Sequence, residues 1–360
     1  MKAVKRLSAV EHLGKSDRGL LLIILSLIVI SYDSYWFGTS GILLYELIRN
    51  IFVIALPVIL FIYNRQIVTT KKDIAILLFF LFIFACGMMF NGNGFGAPAF
   101  ILSAFFTGLA LVHRYPFKKL ALCFSDIISI ISLYSLLIEL GCLIGVFNLN
   151  YLSNIADAPM LSAYGCLFFP ELDDSLLRNS AIFREPGVFM IFLNISLLFE
   201  LFVLNNKYRI HNIIIFSIAM ITTFSTGGLI CMVLIFVIYN IKSKFGVAHI
   251  LIITTLIVLF VLPFIGDEYI QMVFGKFDTI DSYGSGFARM SSLVIPFHIF
   301  LDYPFFGCGF EQFPEEYVRF GHQLFHREVD PQGMSTNTFM NLFAIWGIFF
   351  GAFILYGIYQ

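Results

Sequence analysis

Charge is what this sequence has least of. Asp, Glu, Lys and Arg make up 12% of its 360 residues, while 59% are hydrophobic and the mean hydropathy is +0.90. A soluble globular chain carries about 25% charged residues, so the composition excludes that class. Cysteine is also sparse. There are six, with no CxxC pair and no Cys/His cluster, so no metal and no cofactor is expected. Cys166 and Cys308 lie outside the apolar runs, where a disulfide or two free thiols would both fit. The chain has no nucleotide-binding loop, no internal repeat and no low-complexity tract, and nothing in it points to nucleic acid. A cleavable leader is not indicated either. The apolar stretch from Gly19 follows a basic start but continues into a second run without a small-residue cleavage site.

Long apolar runs are what the chain does have. Crossing a bilayer takes roughly 20 residues. Runs near that length lie at 20–38, 42–63, 74–90, 97–113, 120–147, 186–204, 210–225, 227–241, 247–265 and 336–358. The expected fold class is therefore all-α: a polytopic integral membrane bundle of about ten transmembrane helices with two long external loops. Residues 1–147 would hold about five helices, 148–185 an external loop, and 186–265 about four more helices. Residues 266–335 would form a large external loop with an interfacial helix, and 336–360 the final span. With a cytoplasmic N-terminus, one side of the membrane collects Lys2, Lys5, Arg6, Lys15, Arg18, Arg65, Lys71, Lys72, Arg114, Lys118, Lys119, Lys207, Arg209, Lys242 and Lys244. That is 15 of the 22 basic residues, against three acidic ones, Glu11, Asp17 and Asp73. The excess of positive charge fixes that side as the cytoplasm.

Several ionisable residues fall inside or at the ends of these runs, where charge is costly and needs a partner or a cavity. Glu46 and Arg49 are three apart and share a helix face, which suits a mutual ion pair. Asp126 and Glu139 lie on one predicted span and belong either to a polar cavity or to two separate interhelical hydrogen bonds. Glu200, near the cytoplasmic end of its run, is expected to reach interfacial water. The stretch Thr222–Gly228 reads as a tight hairpin or a helix break, with packing as its ordinary role and phosphate contact as the sharper one.

The most informative stretch is Phe183-Arg184-Glu185-Pro186-Gly187, where an external loop enters a span. Proline suits the first helical turn, and the free amides and helix dipole there favour an anion beside the Arg184 guanidinium. Glu185 could act as a base or simply hold Arg184, and a plain capped helix start with a local ion pair would give the same spacing. In the second loop, Arg289 opens the apolar run Met290–Leu301, which is too short to span and is interrupted by Pro296. Beyond it stand Arg319, His322, His326, Arg327, Glu328 and Asp330, a set suited either to acid–base chemistry and sugar binding or to a solvated surface.

These features recur in a fixed order: the Arg184 motif opening a span, a hydroxyl-Gly-Gly break at 225–228, and Arg289 before an interfacial helix. Pro304-x-x-Gly307-x-Gly309 follows, then Asn337-x-Phe339-Met340 ahead of Trp346-Gly347. Over about residues 180–360 the chain resembles the O-antigen polymerase and ligase superfamily, most closely its Wzy-type polymerases of surface polysaccharide repeat units. The resemblance implies a metal-independent glycosyltransferase of the bacterial inner membrane that lengthens undecaprenyl-pyrophosphate-linked oligosaccharide on the outer face. Arg184 and Arg289 would grip the pyrophosphate, and Glu185, His322 or His326 would serve as base. Arg319, Arg327 and Asn337 would contact substrate. Partners would be the lipid-linked oligosaccharide, membrane lipid, and a chain-length regulator and flippase of the same pathway. The alternatives are a ligase that moves finished glycan onto lipid A-core and, in another class, a lipid-linked oligosaccharide flippase. Two positions depart from the superfamily pattern. Thr336 stands where ligases carry His, and Thr226 stands where many relatives carry Arg.

Overall fold

The computed structural model describes residues 15–63, 70–91, 94, 96–152, 160–171, 176–204, 209–242, 285–326, 329 and 338–359. It is mostly helical. The helices are α1 Lys15–Val29, α2 Leu43–Tyr63, α3 Lys71–Asn91, α4 Gly96–Arg114, α5 Phe117–Leu143 and α6 Pro186–Leu198. After them come α7 Arg209–Thr222, α8 Thr226–Lys242, α9 Ser285–Asp302, α10 Phe313–Phe325 and α11 Thr338–Tyr359. Eight of the ten predicted spans fall on a helix; 20–38 is helical only to Val29 before a break and the turn Tyr35–Thr39, and 247–265 lies outside the described residues. By length and composition four helical stretches can cross a membrane: Leu43–Ile62, Lys71–Asn91, Phe117–Leu143 and Pro186–Val203. The other apolar helices among the described residues are shorter.

The fold divides into two compact units, residues 1–52 with 114–266, and residues 53–113 with 267–360. In the first, α5 packs against α1, α6 and α7, and α6 packs against α7 and α8. This unit also corrects the all-helical expectation. Within 148–185 the strands β1 Asn150–Leu152, β2 Met160–Ala163, β3 Cys166–Glu171 and β4 Leu176–Ala181 form an antiparallel meander in the order β1-β2-β3-β4. The β2–β3 turn is Tyr164-Gly165, with φ of 49° and 83°. Two positive φ values in a two-residue loop match the twist of an antiparallel pair. Alternation along the strands sends Leu161, Ala163, Cys166 and Phe168 onto Ile138 of α5, and Met160 and Leu167 onto Tyr35. The sheet is thus covered on both faces.

Tyr35 belongs to a π-helical turn, Tyr35–Thr39, between α1 and α2. Arg49, expected to pair with Glu46, serves this turn instead. Its Nη1 donates to the Phe37 carbonyl at 2.5 Å, its Nε donates to Asn50 Oδ1 at 3.2 Å, and its guanidinium lies 3.6 Å above the Tyr32 ring. A buried Arg that satisfies backbone carbonyls and an aromatic face needs no carboxylate.

In the second unit α9 packs against α10 and α11, and α11 against α3. Phe80 and Phe84, Ile295 and Ile299, Tyr317 and Phe320, and Trp346 and Phe350 form one buried core. The helix runs unbroken through Pro296. Pro57 lies inside α2 and cannot donate to the carbonyl four residues back, that of Val53. Ser103 Oγ of α4 donates to that carbonyl in its place. Pro304–Gly309 docks on a break in α11. Cys308 and Gly309 amides donate to Ala344 and Ile345 carbonyls at 2.8 and 3.1 Å, and the Ile348 amide donates to Pro304 at 2.8 Å. The two glycine motifs of the sequence are therefore halves of one joint, at Gly307 and Gly347.

Candidate functional site

The turn from β4 into α6 is built from the inside outward. Phe183 is fully buried and stacks on Phe189 and Phe192, with ring centroids 5.4 and 4.5 Å away. Its neighbours pair with the segment ahead of the π turn: the Tyr35 amide donates to Ile182 at 3.1 Å, and the Arg184 amide donates to Asp33 at 2.9 Å. With Phe183 anchored inward, Arg184 and Glu185 must face outward, and they are 42% and 53% exposed.

Arg184 lies between two carboxylates. Its Nε is 3.6 Å from Asp33 Oδ1, and its Nη2 is 4.0 Å from Glu185 Oε1. Both separations exceed hydrogen-bond length, so these are loose ion pairs that a competing anion can displace. Glu185 is the N-cap residue of α6, yet its side chain makes no capping hydrogen bond. Its backbone carbonyl accepts from Val188 and Phe189, and its carboxyl carbon sits 3.8 Å from where a side chain on Gly187 would start. The carboxylate is left beside the open helix terminus and is not consumed by it. Pro186 occupies the first turn, as the sequence indicated.

A polar network under the sheet holds this turn. Asn179 of β4 is fully buried; its Nδ2 donates to Glu139 Oε2 at 2.9 Å and to Ser135 Oγ at 3.2 Å. Its Oδ1 accepts from the Ala181 amide at 2.8 Å, which fixes a non-glycine residue at φ 51°. Arg178 Nε donates to the Thr223 carbonyl at 3.2 Å, tying β4 to the α7–α8 turn. Glu139 thus makes a helix-to-sheet contact, where the sequence offered a polar cavity or a hydrogen bond between helices. Asn179 and Asp33 carry no sequence signal as site residues, because their partners are distant in the chain and only the fold brings them together.

The remaining candidates lie in the second unit. His322 and His326 are both exposed; His322 is in the last turn of α10, and His326 caps that helix at φ 53°. Arg319 also lies on α10. Its Nη2 is 3.2 Å from Asp302 Oδ2 and 2.5 Å from Glu316 Oε2, and its guanidinium covers the Phe320 ring at 4.5 Å. Those contacts give it a packing role between α9 and α10. Tyr303 donates to Glu316 Oε1 at 3.2 Å, and burial with the neighbouring carboxylate pushes its hydroxyl pKa up. Arg289 has its backbone in α9, while its side chain and the whole of Arg327 and Asn337 lie outside the described residues. Cys166 and Cys308 are free, and burial pushes both thiols up to about 12. Among the described residues no group of His, Cys, Asp and Glu is arranged to hold a metal.

No characterised protein and no solved structure matches the chain. A family model described as O-antigen ligase matches residues 211–356, from α7 through the break in α11, and leaves the Arg184 turn outside the matched stretch. Over residues 211–356, less than half of the chain, the match supports the resemblance of this membrane protein to the O-antigen polymerase and ligase superfamily.

Proposed function

We propose that the protein is a glycosyltransferase of the bacterial inner membrane, with a cytoplasmic N-terminus. It joins undecaprenyl-pyrophosphate-linked oligosaccharide repeat units into surface polysaccharide on the outer face. One observation carries the reading: an exposed, loosely held Arg184 beside a carboxylate, Glu185, that its own helix start does not use.

The chemistry asked of the site is a displacement at a sugar carbon. An acceptor hydroxyl attacks the anomeric carbon, the bond to the pyrophosphate oxygen breaks, and its electron pair leaves with the diphosphate. Arg184 and the positive end of α6 stabilise that developing charge. Glu185 receives the hydroxyl proton, with Asp33 aligning Arg184. Arg184 with Asp33 and Glu185 sums to one net negative charge, so Arg184 alone does not neutralise a diphosphate. Arg289 is the second cation the reading assigns. Thr336, in place of the ligase histidine, favours polymerase over ligase.

A deletion strain complemented with variants, its surface glycolipid separated by electrophoresis, tests the assignment. Arg184→Ala and Arg289→Ala should each leave core glycolipid carrying a single repeat, at normal protein level, with rates reduced on the order of 10²–10³. A bare core with intact lipid-linked polymer would identify the ligase instead. Wild-type ladders from both variants would remove the site from consideration.

A further inference from the structure

The sequence placed Glu200 in interfacial water, but it is fully buried. It lies in a π-helical turn, Phe199–Val203, that continues α6, about 21 Å along the helix from Pro186. Turns of this kind often mark functional positions. Glu200 Oε1 accepts from Ser125 Oγ at 2.6 Å and from Asn212 Nδ2, and Asn212 Oδ1 accepts from Ser129 Oγ at 3.1 Å. Glu200 Oε2 accepts nothing. One turn earlier on the same helix, Ser196 is also fully buried with an unpartnered Oγ. Helical serines usually bond the carbonyl four residues back, as Ser132 and Ser217 do here, and Ser196 does not. Residues four apart share a helix face, so two unmatched oxygens look toward the same interior.

An ionised carboxylate in this setting requires a counter-charge. Arg209, at the start of the neighbouring helix, does not supply it: its Nη2 donates to the Leu201 carbonyl at 3.1 Å and to the Tyr239 hydroxyl at 2.8 Å. Among the described residues no ion pair reaches Glu200. We propose that Glu200 and Ser196, with oxygens of Ser125 and Asn212, bind one dehydrated alkali-metal cation inside the first unit. A single carboxylate balances a single charge, whereas a divalent ion would leave net positive charge in a low-dielectric interior. The site is independent of the glycosyltransferase reading and would survive its failure.

Thermal unfolding of the purified full chain in detergent tests this, in choline, sodium or potassium chloride at equal ionic strength. The wild type should melt several degrees higher in sodium or potassium than in choline, saturably, and the effective salt identifies the ion. Glu200→Gln should lose that response. Ser196→Ala removes a hydroxyl that makes no hydrogen bond, so it should melt like wild type in choline yet need on the order of tenfold more cation for the same shift. Equal melting of wild type in all three salts would overturn the proposal. An undiminished response in Ser196→Ala would overturn it as well, even if Glu200→Gln does not fold.

Discussion

Replacing Gly347 with alanine should loosen the second unit more than any ordinary glycine change. Gly347 sits at φ 75° and ψ −173°, a region essentially reserved for glycine, so alanine there costs about 1–3 kcal/mol in backbone strain. A side chain would also begin 2.1 Å from the Phe305 carbonyl oxygen and 2.7 Å from the Phe306 nitrogen. Those are backbone atoms and cannot rotate away. The segments must part, and three hydrogen bonds cross that joint: Cys308 to Ala344, Gly309 to Ile345, and Ile348 to Pro304. At about 0.5–1.5 kcal/mol each, their loss brings the total to about 2.5–7.5 kcal/mol. The apparent melting temperature in detergent should fall by roughly 10 °C. Gly307→Ala pushes on the same joint from the other side, 2.2 Å from the Ile345 carbonyl carbon, so the double variant should cost clearly less than the two singles combined. Gly108→Ala, with open space around its site, is the control and should be neutral or stabilising. A Gly347→Ala protein that melts within a degree of wild type would refute the joint.

The repair of Pro57 makes a second cycle. Ser103→Ala leaves the Val53 carbonyl without a donor and should cost about 1–3 kcal/mol, whereas in a Pro57→Ala background the restored amide should make the same change nearly silent. Ala181→Gly should stabilise the β4–α6 turn by about 0.5–1 kcal/mol, because φ 51° suits glycine; a loss of stability would mean that the Asn179 contact does not hold this conformation. Cys166 and Cys308, with thiol pKa raised by burial to about 12, should resist maleimide at pH 8 in the folded protein and label fully once it is denatured. The sign also sets a stability trend. A raised folded-state pKa stabilises fully below the ordinary thiol value of 9.0, and that contribution fades as pH climbs from there toward 12.

The helices were legible because a bilayer-length apolar run leaves the backbone little alternative to helix. The meander was not, since its strands are three to six residues long and its hairpin turn is Tyr164-Gly165, without the Asn or Asp that usually signals one. Helix α10 was within reach: Phe313, Tyr317, Phe320 and Leu324 recur at helical spacing and face the core. For Arg184 the sequence shows the adjacent partner, Glu185, and cannot show Asp33, which a backbone pairing between two distant segments delivers. Glu200 misled for a related reason. Its place near the cytoplasmic end of an apolar run suggests an interface, while burial is decided by serines and an asparagine on other helices.

The family match and the proposed Arg184–Glu185 pair fall on different parts of this chain. Two of the motifs that carry the resemblance, Pro304-x-x-Gly307-x-Gly309 and Trp346-Gly347, are explained by close packing at one joint, and they lie within the matched stretch 211–356. Arg184 and Glu185 lie before that stretch and owe their geometry to Phe183, Asp33 and the sheet. A motif explained by steric fit speaks to the fold of a chain, and the residues proposed for chemistry speak to its function. The two should separate under mutation. Substitutions at Gly307 or Gly347 should lower the amount of protein and of polysaccharide together, because an unstable joint exposes the chain to degradation. Arg184→Ala should lower polysaccharide alone. Quantitative blotting beside polysaccharide electrophoresis resolves the two patterns, and parallel loss of protein in Arg184→Ala would assign that residue to the scaffold as well.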